Sequence, residues 1–269
     1  MALGRIGLEI GEAVSGVIRG AGDIVGTAVE VTSKTVIETL RGVRDVTAEV
    51  GGMATDAVAG AVNAANQVGT GVARAAKGAV VGVIRGVGEV TTVTAGVLSD
   101  TVQAAIKGTA SIGGDVSRAA RGAAAGAIST TTEVGVSLED GARSVAEGAV
   151  KGAQETGSDF SQIAMNTVYG AITGAQEIGG NVWVTIDLTT QGLVRGASNL
   201  GADIAQVARS TVEGAIGGAK EAGIDAVEAA AVAATSAVEA AKEASHEAAD
   251  AVKSAVVGTV NDIEVKLKK

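Results

Sequence analysis

The chain has 269 residues and a net charge of −9, with 40 glycines, no proline and no cysteine. The acidic balance speaks against a nucleic-acid partner, which needs a basic surplus to neutralise phosphates, and against simple Coulomb attraction to anionic lipid. A lone histidine, His246, excludes a multi-histidine metal site within one chain, and one Trp, one Tyr and one Phe leave an apolar content of mostly Ala and Val, suited to thin, close contacts rather than a thick core.

Residues 1–15 form a lead-in. The stretch MALGRIGLEIGEAVS carries Glu9 and Glu12 and no unbroken apolar core, so no signal peptide is expected. No run of about 18 uncharged apolar residues predicts a transmembrane helix. A cytoplasmic location is expected, free or peripheral to a membrane or lipid body. Without cysteine there is no disulfide or thiolate chemistry, and the redox compartment stays open.

Residues 16–225 are a Gly-rich repeat. GVIRGAGDI at Gly16 returns as GVIRGVGEV at Gly82, GAVKGAQET at Gly148, GAITGAQEI at Gly170 and GAIGGAKEA at Gly214, all separated by multiples of 22 residues. The third position of the unit is Ile18, Leu40, Val62, Ile84, Ile106, Ile128, Val150, Ile172, Val194 and Ile216, with Val238 beyond. Apolar residues fall at unit positions 3, 6, 9, 13, 17 and 21. That spacing is helical and matches an 11-residue period over three turns, covering an arc of about 130°. The fourth position is basic at Arg19, Arg41, Arg85, Lys107, Lys151 and Arg195, and the eighth is acidic from Asp23 and Asp45 through Glu89, Glu133, Glu155, Glu177 and Glu221 to Glu243. Arg19 with Asp23 and Arg85 with Glu89 are i,i+4 pairs in the weaker, base-first order; the expectation is a solvated face.

Glycine occupies the first and fifth positions at Gly16, Gly20, Gly82, Gly86, Gly148, Gly152, Gly170, Gly174, Gly192, Gly196, Gly214 and Gly218. Each costs about 0.5–1 kcal/mol against alanine inside a helix, so the chain is a poor helix alone in water. Close helix packing through small residues four apart, or an apolar surface that buries the arc, would compensate. Replacing Gly148, Gly152, Gly170 and Gly174 by Leu is expected to destroy such packing, and by Ala to preserve it.

From Gly113 the tenth position is glycine (Gly113, Gly135, Gly157, Gly179, Gly201, Gly223), and Asp115, Ser137, Asp159, Asn181, Asp203 and Asp225 follow two residues later. This is helix-cap chemistry. The fold class is therefore all-α, built as long amphipathic helices: a continuous or kinked 11/3 helix, or an antiparallel helical array. The unbroken period favours the continuous form. Residues 226–269 lose glycine for most of their length and read as an Ala-rich C-terminal helix with a basic tail, VKLKK, placed at the negative end of the helix dipole.

GAGDIVG, from Gly20 to Gly26, mimics a dinucleotide loop but lacks the preceding strand. No catalytic, metal or cofactor site and no small-molecule substrate is expected. His246 reads as a surface residue, and Phe160, Tyr169 and Trp183 as packing or interface residues.

The 11-residue period with its paired charges, as in GAVKGAQETGSDFSQIA, resembles the lipid-surface helices of synucleins, perilipins and exchangeable apolipoproteins. The tail AVEAAKEASHEAADAVKSA is similar to group 3 late-embryogenesis-abundant proteins. These resemblances imply coating of lipid droplets or membranes, or protection during dehydration, and no enzyme. The first expectation is an amphipathic coat or scaffold at a lipid or apolar surface. The alternative is a self-assembling structural protein, a bundle or filament packed through its glycine edges. A desiccation or cold protectant comes third. The expected partners are lipid and the chain itself.

Overall fold

Left-handed glycines cut the repeat into separate helices. The computed structural model describes residues 24–41, 46–67 and 71–268. Its helices are α1 (Ile24–Leu40), α2 (Val46–Gln67), α3 (Val72–Gly88), α4 (Ala95–Ser111), α5 (Val116–Thr130), α6 (Leu138–Thr156), α7 (Phe160–Glu177), α8 (Val182–Leu200), α9 (Ile204–Ala222), α10 (Ala226–Ala244) and α11 (His246–Val256), followed by strands β1 (Gly258–Val260) and β2 (Ile263–Val265).

The turns are built as the Gly-x-Asp pattern requires. Gly113, Gly135, Gly157, Gly179, Gly201 and Gly223 all take positive φ, between 63° and 76°. At Gly179 and Gly201 the next residue returns its N–H to a carbonyl of the last turn, Gly180 to Ala175 and Ala202 to Ala197, which closes a Schellman motif. Asp115, Ser137, Asp159, Asn181, Asp203 and Asp225 then accept backbone N–H groups of the next helix. Between α3 and α4 there is no such glycine; Thr94 caps α4 by accepting the Val97 N–H. Gly201→Ala places a Cβ in open space but at φ 66°. Its cost is therefore conformational, about 1–2 kcal/mol, and Asp203→Ala removes a cap for about 1 kcal/mol. Urea unfolding reads both losses.

The continuous helix that the period favours does not form. A 19-residue helix such as α6 or α8 and a three-residue turn together fill one unit. Each new helix thus presents the same unit positions to the core. The apolar period runs unbroken through the sequence while the chain reverses direction at every turn.

The result is an antiparallel array in two layers. Helices α1, α3, α5, α7 and α9 form one layer, and α2, α4, α6, α8 and α10 the other; each helix packs most heavily on the helix two along in its own layer. The cluster of buried Ala, Val and Ile between the layers runs the length of the described chain. Inner helices are enclosed on three sides, so α3 leaves little more than Arg74, Lys77, Arg85 and Gly88 accessible.

The C-terminal segment departs from one Ala-rich helix with a basic tail. Ser245, in extended conformation, ends α10 and caps α11 by accepting the Ala248 N–H. α11 packs against both α9 and α10. β1 and β2 pair antiparallel, with Asn261 and Asp262 at positive φ in the turn. The tail lysines do not sit at a helix end: Lys268 instead pairs with Glu228, at the start of α10.

Candidate interaction surfaces

The third-position residues are the natural starting point, since they carry the apolar arc. Leu40, Val62, Ile84, Ile106, Ile128, Ile172, Val194 and Ile216 are buried between the layers, while Val150 is half-buried against the same core. Ile18 lies outside the described residues. The arc thus faces the other layer of the same chain. Among the described residues the large exposed apolar side chains are Ile112, Val227 and Val257, and they form no stripe.

The glycine edge faces the neighbouring helix of the same layer; Gly16 and Gly20 lie outside the described residues. Gly82 of α3 abuts the Val29 carbonyl of α1, and Gly86 abuts Val36. On α6, Gly148 meets the Ser99 carbonyl of α4 and Gly152 meets Ile106. On α7, Gly170 meets the Arg121 carbonyl of α5, and Gly174 meets Ala125 and Ile128. On α8, Gly192 and Gly196 meet Ala146 and Val150 of α6; on α9, Gly214 meets the Met165 carbonyl of α7, and Gly218 meets Ile172. The α-hydrogen at Gly148, Gly170 and Gly214 points at a carbonyl oxygen, the weak Cα–H···O contact that recurs at helix interfaces. The expectation that alanine preserves this approach is corrected. A Cβ at Gly174 would lie 2.5 Å from the Ala125 oxygen, and those at Gly148, Gly170 and Gly214 would collide with backbone oxygens.

These contacts also set the stagger of the layer. Gly126 lies against Lys77, Gly170 against Arg121 and Gly214 against Met165, each 49 residues apart, five more than the two units of 22 that separate equivalent positions. Five residues at 1.5 Å per residue shift each helix by about 7.5 Å along its axis.

The charge pattern has a different role from the expected i,i+4 pairs. Arg85 pairs with Glu133, not with Glu89; Lys107 pairs with Glu155 and Arg195 with Glu243. Each joins a fourth-position base to an eighth-position acid 48 residues on, in the next helical repeat of the same layer. Two further pairs span 100 residues: Lys77 with Glu177 at 2.5 Å and Arg121 with Glu221 at 2.6 Å. They reach from α3 to α7 and from α5 to α9, over the helix between. The small residues Gly126 and Gly170 on the bridged helices leave room for this crossing. Tyr169, on bridged helix α7, donates to Glu221 and carries the Arg121 guanidinium 3.6 Å from its ring centroid. Phe160 is buried, Trp183 is packed partly against the core with Lys268 5.8 Å from its ring, and His246 is exposed.

The hydrogen bonds from Tyr169 and Arg121 hold the Glu221 carboxyl below its ordinary range, and that from Arg195 does the same for Glu243. Desolvation and the bond to Glu221 push the Tyr169 phenol up. A carboxyl whose pKa is lowered by folding stabilises the fold above its unfolded pKa, about 4.3, and that contribution is lost as pH falls through the folded value. The urea midpoint is expected to hold from neutrality to about pH 5 and to fall below about pH 4. Glu221→Gln should flatten that fall slightly, since an exposed pair contributes only about 0.2–1 kcal/mol.

No group of three or more His, Cys, Asp or Glu among the described residues is placed to hold a metal, and no described helix is long and apolar enough to cross a membrane. Fold and surfaces define the class: an all-α helical repeat protein in two layers. No protein-family model and no curated protein matches the chain. Among solved structures, the crystal structure of a de novo designed helical repeat protein is similar, with 22% identity over 59% of this chain and 90% of that one and a TM-score of 0.39.

Proposed function

We propose that this chain is a non-enzymatic structural scaffold, a preformed helical array that acts through its shape and outward side chains. The observation that carries this reading is the fate of the repeat. The apolar arc and the glycine edge, the two features able to compensate a glycine-rich helix, both face other helices of the same chain. The array therefore needs no lipid to order it. The glycine edges, which could have served assembly between chains, are satisfied within one.

The lipid-coat reading would require the layers to separate so that Ile84, Ile128 and Ile172 could reach an apolar surface. Circular dichroism and light scattering in lipid-free buffer, followed by flotation with neutral liposomes, separate the two readings. The scaffold is expected to be helical and compact before lipid is added and unchanged after it. A disordered chain that gains helix only on liposomes would overturn the proposal in favour of a coat.

A further inference from the structure

One seam of the array is propped open. The first-position glycines Gly82, Gly126, Gly148, Gly170 and Gly214 each abut a backbone carbonyl of the neighbouring helix. Gly192 of α8 does not; its nearest neighbour is Ala146 Cβ, 2.6 Å from an added Cβ. The repeat register would have put it on the Arg143 carbonyl. The cause lies four residues earlier. Leu188 occupies the unit position that is glycine at Gly78 in α3 and Gly122 in α5, where both pack onto backbone carbonyls. A leucine side chain at that position holds α8 away from α6.

The opening is a groove of about 520 Å³ between α6 and α8, within the range of small-molecule sites. Val150, Leu188 and Leu200 supply apolar walls, and Gly192 and Gly196 expose helix backbone along its floor. Its charged rim carries Arg143, Lys151 and Arg195 against one carboxylate, Glu147. Lys151 is engaged by Glu147 and Arg195 by Glu243. Arg143 is exposed, and none of the described residues forms an ion pair with it.

We propose that this seam binds a single-chain anionic amphiphile, its unbranched chain along the glycine floor and its head group on Arg143. A narrow floor of small residues fits a slim chain rather than a ring system, and the surplus of positive charge at the rim selects a negative head. The inference is independent of the scaffold role: a folded array that ignores the ligand refutes the groove alone.

The test titrates the full chain with decanoate and with decanol below their aggregation limits, followed by calorimetry and by the fluorescence of the sole tryptophan, Trp183, on α8. Saturable one-to-one binding of decanoate is expected. Arg143→Gln, an exposed change that leaves the fold intact, should weaken decanoate about tenfold and leave decanol unchanged, whereas Arg118→Gln on the other layer should change neither. Leu188→Gly, matched to Gly78 and Gly122, should close the seam and abolish binding while circular dichroism shows the helices retained. The proposal is overturned if folded wild type shows no saturable decanoate binding. It also fails if Arg143→Gln binds decanoate as tightly as wild type, or if a folded Leu188→Gly variant binds unchanged.

Discussion

Replacing Gly170 and Gly214 together by alanine should lower the unfolding free energy by about 2–4 kcal/mol. The added Cβ atoms would collide with the Arg121 and Met165 carbonyl oxygens. A backbone oxygen inside a hydrogen-bonded helix cannot step aside as a side chain does, so the helices must separate. Overpacking of this kind costs about 1–3 kcal/mol per site, and the gain in helix propensity returns at most about 1 kcal/mol. The two sites lie on different seams, α5 against α7 and α7 against α9, so their costs should add to a first approximation. Gly96→Ala is the control. Gly96 is exposed in the first turn of α4, with its nearest atom, Thr94 Oγ1, at an ordinary 3.6 Å. That change should stabilise by up to about 1 kcal/mol. Urea midpoints moving in opposite directions would show that glycine is kept at the seams for approach, not for flexibility.

Ile172→Ala is expected to cost about 2–5 kcal/mol in lipid-free buffer. The Ile172 side chain is fully buried and in contact with the added-Cβ position at Gly218 on the next helix of its layer. Truncation therefore leaves a cavity between the layers and loosens the α7/α9 seam. An isoleucine waiting for a lipid surface would lose nothing in water. Chemical denaturation without lipid distinguishes the two, and an unchanged midpoint would return the third-position residues to an external role.

Much of this architecture was legible in the sequence, though not its connectivity. The repeat, the helical class, the Gly-x-Asp turns and the core positions can be read from spacing and cap chemistry, because these depend on residues within one turn of each other. The choice between a continuous helix and an array could not be made from periodicity, since a helix and turn that together fill one unit keep the period intact either way. The partner of Arg85 was hidden for a related reason. Glu89 is near in sequence, but Glu133 is brought alongside only by the stacking of α3 and α5. The alanine expectation failed because small-xxx-small spacing indicates close approach without saying whether the facing atom is a side chain or a carbonyl. At the C-terminus the local signals were present and were outweighed by alanine content: Ser245 as an N-cap, and Asn261-Asp262 between short β-forming segments as a hairpin turn. Leu188, the one large residue on a glycine position beside the open groove, acquires meaning only once α6 and α8 are seen to be neighbours.

The central claim, an array folded back on itself, is tested most directly by zero-length carbodiimide coupling of the lipid-free monomer followed by peptide mass spectrometry. Lys77 and Glu177 are 2.5 Å apart across α5. In a continuous helix, 100 residues of separation would place them about 150 Å apart. The array predicts an intramolecular Lys77–Glu177 amide, accompanied by Lys107–Glu155, in material that remains monomeric on sizing. Coupling confined to residues within a turn or two of each other, or found only between chains, would contradict it.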